Sequence, residues 1–195
     1  MSNPFTRPGP LLTPAAAAGR PPADEEFGAP IGTRVRWSTR LVLGAMVAFI
    51  GFDAWLAFSG IVPSSARWVL LIVPWLALGI VGGIAWYSRV LGFRLAGGEL
   101  VARRPNRETR FELAGLEAVE ADPKAMDWSI KTFGNDGLGA ITGHFRNRKL
   151  GAYEALVTDR ERTVVLRWPK RCLVVSPDRP EEFARAVRAR VPLPR

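Results

Sequence analysis

LVLGAMVAFIGFDAWLAFSGIV (residues 41–62) and WVLLIVPWLALGIVGGIAWY (residues 68–87), separated by Pro63-Ser64-Ser65-Ala66-Arg67, decide how the rest of this chain is read. As helices rising about 1.5 Å per residue, the two runs reach roughly 33 and 30 Å, enough for a hydrocarbon core of about 30 Å. One such run is compatible with a core helix of a soluble protein. Two in tandem, joined by a short polar link, read as a membrane hairpin over residues 37–88, with spans near 38–62 and 67–88.

The flanks orient the hairpin. Arg34, Arg36 and Arg40 precede the first run, Arg89 and Arg94 follow the second, and the link carries only Arg67. The positive-inside rule then places both termini in the cytoplasm and the chain in the cell membrane as a multi-pass protein. Trp37, Trp86 and Tyr87 fall at one interface of an antiparallel pair and Trp68 at the other. The small-residue stripes Gly44-Ala48-Gly51 and Gly79-Gly83 are expected to let helices approach closely, either the two helices of the hairpin, which the short link favours, or a second copy of the chain. Asp53, near the middle of the first run, costs roughly 2.5–3.5 kcal/mol as a charge at a helix centre. Its carboxyl is expected to face the helix partner or another subunit. With no second acid or base inside either run, no proton relay takes shape, and a small transporter or channel accessory subunit is an alternative built on Asp53 alone.

Upstream, residues 1–34 hold seven prolines up to Pro30, an alanine run at 15–18 and the acidic patch Asp24-Glu25-Glu26. This composition buries too little apolar surface to order itself and predicts a disordered tail. It does not fit a secretory signal, so the hairpin is expected to be retained. In the whole chain 27 Lys and Arg stand against 18 Asp and Glu, and from Arg89 onward 21 against 14. That excess suits an anionic lipid surface or an acidic partner. The basic residues are dispersed over loops rather than along a recognition helix, which argues against nucleic acid. One Cys and one His leave no disulfide and no usual metal-ligand set, and no cofactor is expected.

Downstream, residues 90–192 read as a small mainly-β domain. Strand signals fall at 93–96 and 99–103 around Gly97-Gly98, then at 110–113, 118–121, 153–158, 163–168 and 172–176. Seven short strands of this spacing predict a small sheet curling toward a barrel or a sandwich. Phe183, Val187 and Val191 then recur at helical spacing, with Asp178 and Glu181 as a capping box and Pro180 in the first turn. Gly134, Gly137, Gly139 and Gly143 match no phosphate-binding pattern and read as a long loop. Arg146, Arg148, Lys149, Lys131, Arg160, Arg162, Lys170 and Arg171 form the densest basic set, facing a lipid headgroup or an acidic partner if their loops converge at one end of the sheet. Trp128, Phe133, Phe145, Tyr153 and Trp168 are expected to pack internally, His144 to be a hydrogen-bonded structural residue and Cys172 a small core residue.

The runs Phe133-Gly134-Asn135-Asp136-Gly137-Leu138-Gly139, Gly143-His144-Phe145-Arg146-Asn147, Leu150-Gly151-Ala152-Tyr153 and Ser176-Pro177-Asp178-Arg179-Pro180-Glu181-Glu182-Phe183 resemble the bacterial PH-like domains found behind short transmembrane segments. The resemblance implies a seven-stranded bent sheet, a split barrel, capped by a C-terminal α-helix, and a binding rather than a catalytic role. The resulting expectation is a membrane α-helical hairpin plus a PH-like domain acting as a non-catalytic adaptor. Its partner would be an unknown protein or a second copy, with an anionic-lipid sensor as the alternative. The expected partner or headgroup contacts are Arg146, Arg148, Lys149, Lys131, Lys170 and Arg171.

Overall fold

The computed structural model describes residues 24–191. The expectation of disorder for the earlier residues lies outside that range. Within it, the expected tail is not a tail: Glu25–Gly28 forms strand β1, followed by helices α1 (Thr33–Phe58) and α2 (Ser64–Tyr87). Then come β2 (Gly92–Ala96), β3 (Glu99–Arg103), β4 (Glu108–Glu112), β5 (Ala118–Ala121), β6 (Ile130–Leu138), β7 (Ala140–Asn147), β8 (Gly151–Val157), β9 (Val164–Trp168), β10 (Arg171–Val175) and helix α3 (Pro180–Arg190).

The seven expected strands all form, and three more join them. The strands make two sheets, ordered β1-β2-β3-β4 and β5-β9-β10-β8-β7-β6, and no ladder joins one sheet to the other, so the expected single bent sheet does not close into a barrel. The extra strands have identifiable causes. β1 pairs antiparallel with β2, Phe27 opposite Phe93, and Phe27 enters the core edge-to-face on Phe183 at 5.1 Å. Burial of that one aromatic, far away in sequence, orders a segment whose own composition does not. β6 and β7 form a hairpin because their glycines substitute for a flat loop: Gly134 pairs with Gly143, both at positive φ, and a Cβ on either would collide with the opposite backbone.

One core cluster lies between the sheets and under α3, and contains Phe93, Leu100, Phe111, Leu166, Leu173, Phe183 and Val187. A second lies on the other face of the larger sheet, where Val35 of α1 and Ala125-Met126 cover Ile141, Phe145, Tyr153 and Val174. Phe183, Val187 and Val191 are buried as their spacing predicts. The capping box does not form. Arg179 occupies the N-cap, and the Asp178 N–H donates to the Gly28 carbonyl at 2.8 Å, holding β1 instead.

Both helices are long and apolar enough to cross a membrane, and the apolar window of each is only 11% buried against the rest of the chain. Asp53, Ala57 and Pro74 lie buried at their seam. The glycine stripes do not, contrary to expectation: a Cβ on Gly44, Gly51, Gly79 or Gly83 would meet nothing within 4 Å. The glycines face outward.

Because β1 and β2 are antiparallel neighbours, with Gly28 opposite Gly92, the helix pair is the connection between them. It is an insertion in the domain rather than a separate unit ahead of it. The tip of the β6–β7 hairpin sits between the bases of both helices. The hydroxyls of Ser38 and Thr39 donate to the Gly137 carbonyl at 2.8 and 3.0 Å, and the Gly139 N–H donates to Thr39 Oγ1 at 3.1 Å. On α2, the Ala85 carbonyl lies where a Gly139 Cβ would be; with φ at +75°, only glycine fits there.

Candidate functional site

The basic residues singled out in the sequence do converge, but in part. At the end of the larger sheet opposite the hairpin tip, the β7–β8 turn brings Arg146, Arg148 and Lys149 around an open groove of about 1110 Å³ with Lys124, Trp128 and Ile130. The β9–β10 turn carries Lys170 and Arg171 at the same end, since β8 and β10 run parallel. Arg160 and Arg162 lie at the other end and are engaged there, Arg160 with Asp136 at 2.9 Å and Arg162 with Asp159 at 3.7 Å.

Two of the converging cations are already paired. Lys149 Nζ lies 2.5 Å from Asp122 Oδ2, and that hydrogen bond raises the ammonium above its ordinary value. Arg171 lies 2.6 Å from Glu154 and stacks on the Phe111 ring at 4.6 Å. Among the described residues, Lys124, Lys131, Arg146, Arg148 and Lys170 make no ion pair. Lys131 lies on β6 itself, beside the groove.

The residues of the Arg-Asn and Leu-Gly-Xaa-Tyr runs hold this corner together. Asn147 Nδ2 donates to the Ala125 carbonyl at 2.8 Å and to Ser129 Oγ at 3.0 Å, while its Oδ1 accepts from the Leu150 N–H at 2.7 Å. The Tyr153 hydroxyl reaches Ser129 Oγ at 2.6 Å, and burial pushes its ionisation upward. Clamped on both sides, Trp128 adopts φ +53° and projects almost wholly into solvent, 97% exposed. The expectation that Trp128 and Phe133 pack internally is therefore corrected, Phe133 being 77% exposed, whereas Phe145 and Tyr153 are buried and stacked at 6.0 Å.

His144 is likewise exposed, and its backbone carbonyl, not its ring, takes the hydrogen bond from Thr132 Oγ1. β7 turns the imidazole outward beside the exposed edge. Cys172 is buried as expected, and burial raises its thiol, which suits packing and not nucleophilic chemistry. Asp53 is buried, 5% exposed.

What the sequence reading missed here is the pairing of aromatic exposure with charge. The one available signal was the density of glycine in residues 134–143, which marks a strand pair too thin to cover its neighbours. Comparison with the curated proteins and with the solved structures finds no match. The family model for the Bacterial PH domain matches residues 91–191, from just before β2 to just past α3, and so excludes β1 and both apolar helices. With that match covering more than half of the sequence, over two sheets that share a core and a C-terminal helix packed on it, the chain belongs to the bacterial PH domain family.

Proposed function

We propose that the protein is a non-catalytic adaptor of the cell membrane: α1 and α2 cross the bilayer, both chain ends lie in the cytoplasm, and the PH-like domain recruits a protein partner there. The observation that carries this reading is the attachment of the domain. The helices are inserted between β1 and β2 and grip the hairpin tip at Gly137 and Gly139, so the domain is held in one orientation rather than on a string. A module fixed in this way meets membrane-bound partners at an effective concentration near millimolar, so weak contacts become occupied. Lys170 and Arg171, at the start of β10 and so three strand spacings or about 14 Å across the sheet from β6 at roughly 4.8 Å per strand, form the partner-facing cationic surface, with Trp168 beside them.

Two measurements test the proposal in the full-length protein. Alkaline carbonate should leave it in the membrane pellet; release into the supernatant overturns the anchor. A photo-crosslinking residue in place of Lys170 should capture one discrete protein in cells, and adducts to lipid alone would overturn the adaptor role.

A further inference from the structure

Outside the helices and the residues flanking them, the large apolar side chains exposed among the described residues are three: Trp128 at 97%, Ile130 at 73% and Phe133 at 77%. All three belong to one feature, the outer edge of the larger sheet. β6 is its terminal strand, and the half nearer Trp128, residues 130–134, is exposed throughout. A bulge at Thr132 puts Ile130 opposite Arg146 and Phe133 opposite His144, so both apolar side chains share one face with Arg146. Lys131, Arg146, Arg148 and Lys124 stand around them, with Asp127 the acid among the groove's lining residues.

The helices fix which way this edge faces. The Gly32 N–H donates to the Thr158 carbonyl, just past β8, and six to seven residues later Ser38 and Thr39 bond Gly137 on β6. That length of helix is about 10 Å, and two strand spacings are also about 10 Å. α1 therefore runs across the strands, from β8 to β6, and leaves the sheet past β6. Its apolar run begins at Leu41, about 5 Å beyond Ser38. On α2, Ala85 likewise lies at the hairpin tip, and Tyr87, two residues further along, has Arg107 over its ring at 5.0 Å. The exposed rings of Trp37 and Trp86 lie level with the tip, where interfacial aromatics belong.

We propose that the β6 edge is a second membrane contact, resting on the bilayer that α1 and α2 cross, with Trp128, Ile130 and Phe133 in the interfacial layer and Lys131, Arg146 and Arg148 against anionic headgroups. The inference rests on the membrane-spanning reading of the helices and assigns the domain an orientation that reading leaves open. It accounts for the unpaired edge, which would otherwise invite pairing with another chain, and for the strained tryptophan held outward. Pairing of β6 with a second copy would set Lys131, Arg146 and Arg148 against themselves. The segment before Asp24, with Arg7 and Arg20 and no acid, lacks the complementary charge.

The test uses full-length protein with Cys172→Ala, reconstituted in phosphatidylcholine vesicles with and without phosphatidylserine. A fluorophore sensitive to polarity is attached at Ile130→Cys, Phe133→Cys, Lys170→Cys or Phe49→Cys, and quenched by lipids nitroxide-labelled at the headgroup or deep in the acyl chain. Labels at 130 and 133 should be quenched by the shallow nitroxide, more so with phosphatidylserine, and the label at 170 should not. Reversing Arg146 and Arg148 to Glu should cut the bound-to-lifted ratio severalfold per charge in the anionic vesicles, about fivefold for each cation lost. Quenching at 130 and 133 no greater than at 170 overturns the proposal, as does protection of the β6 amides by self-association in detergent. Failure of the deep nitroxide to quench the label at 49 would instead overturn the spanning reading, so the two failures are separable.

Discussion

At the scale of single residues, Trp128 sets stability against contact. A bulky side chain at φ +53° costs about 1–2 kcal/mol, and at 97% exposure the ring recovers little of that by packing. Trp128→Gly should therefore stabilise the folded protein by about 1 kcal/mol, read as a higher midpoint of chemical unfolding in micelles. Trp128→Ala should not, since alanine keeps the strain. Gly139 is the opposite case. Gly139→Ala places a methyl group on the Ala85 carbonyl at a left-handed φ and should cost about 1–3 kcal/mol, with faster hydrogen exchange over residues 33–39 as the helix base loosens. Three titrating groups set the alkaline limit. Burial raises Cys172 and Tyr153, and the bond to Asp122 raises Lys149. The unfolded chain loses each of these protons first, so stability holds below about pH 8.5, the ordinary thiol range, and falls progressively above it. Cys172→Ala should remove the first part of that fall in a series of unfolding midpoints against pH.

At the scale of elements, legibility followed how local the stabilising contacts are. The two apolar helices announce themselves by length, and β2 to β5 and β8 to β10 by alternation around turns, because each carries its signal in its own residues. β6 and β7 lack it: twelve of their seventeen positions are glycine, small or polar, and their pairing depends on two backbones approaching where no Cβ intervenes. β1 is harder still. Glu25 and Glu26 read as a solvated acidic patch, yet Glu25 lies 3.1 Å from Arg190, whose side chain is only 3% exposed, and Glu26 lies 3.4 Å from Arg103. Nothing near residue 25 reveals partners at 103 and 190. The basic set was readable as a set, but not its division between the β6 edge and the β9–β10 turn, which is a matter of strand order. β1 is held mainly by one ring. Phe27→Ala should cost about 3–5 kcal/mol, because it empties the contact with Phe183 and leaves Arg179, now 5.3 Å over the Phe27 ring, without its platform. Glu26→Gln, at an exposed pair, should change the unfolding midpoint by less than about 1 kcal/mol.

At the scale of the whole molecule, the boundary between the apolar helices and the domain does not fall at one point in the sequence. The domain takes Phe27 into its first core from before the helices and Val35 into its second from the first turn of α1, and the other buried members of both cores from after the helices. The segment from Leu91 onward, where the family match begins, is thus an incomplete body. Without β1 the edge of β2 is open and Phe183 and Phe93 lose a neighbour; without Val35 the face formed by Ile141 and Phe145 is uncovered. Loss of two buried large side chains and a four-residue ladder removes several kcal/mol, on the order of the whole stability of a domain this size. A fragment of residues 90–195 should accordingly lack a cooperative unfolding transition and bind a hydrophobic dye. The same fragment with residues 24–36 joined ahead of it by a flexible linker in place of the helices should regain cooperative unfolding. A cooperative, dye-negative fragment 90–195 would mean that β1 and the first turn of α1 merely lie on a finished domain, and the rigid coupling between the helices and the sheet would have to be carried by Gly137 and Gly139 alone.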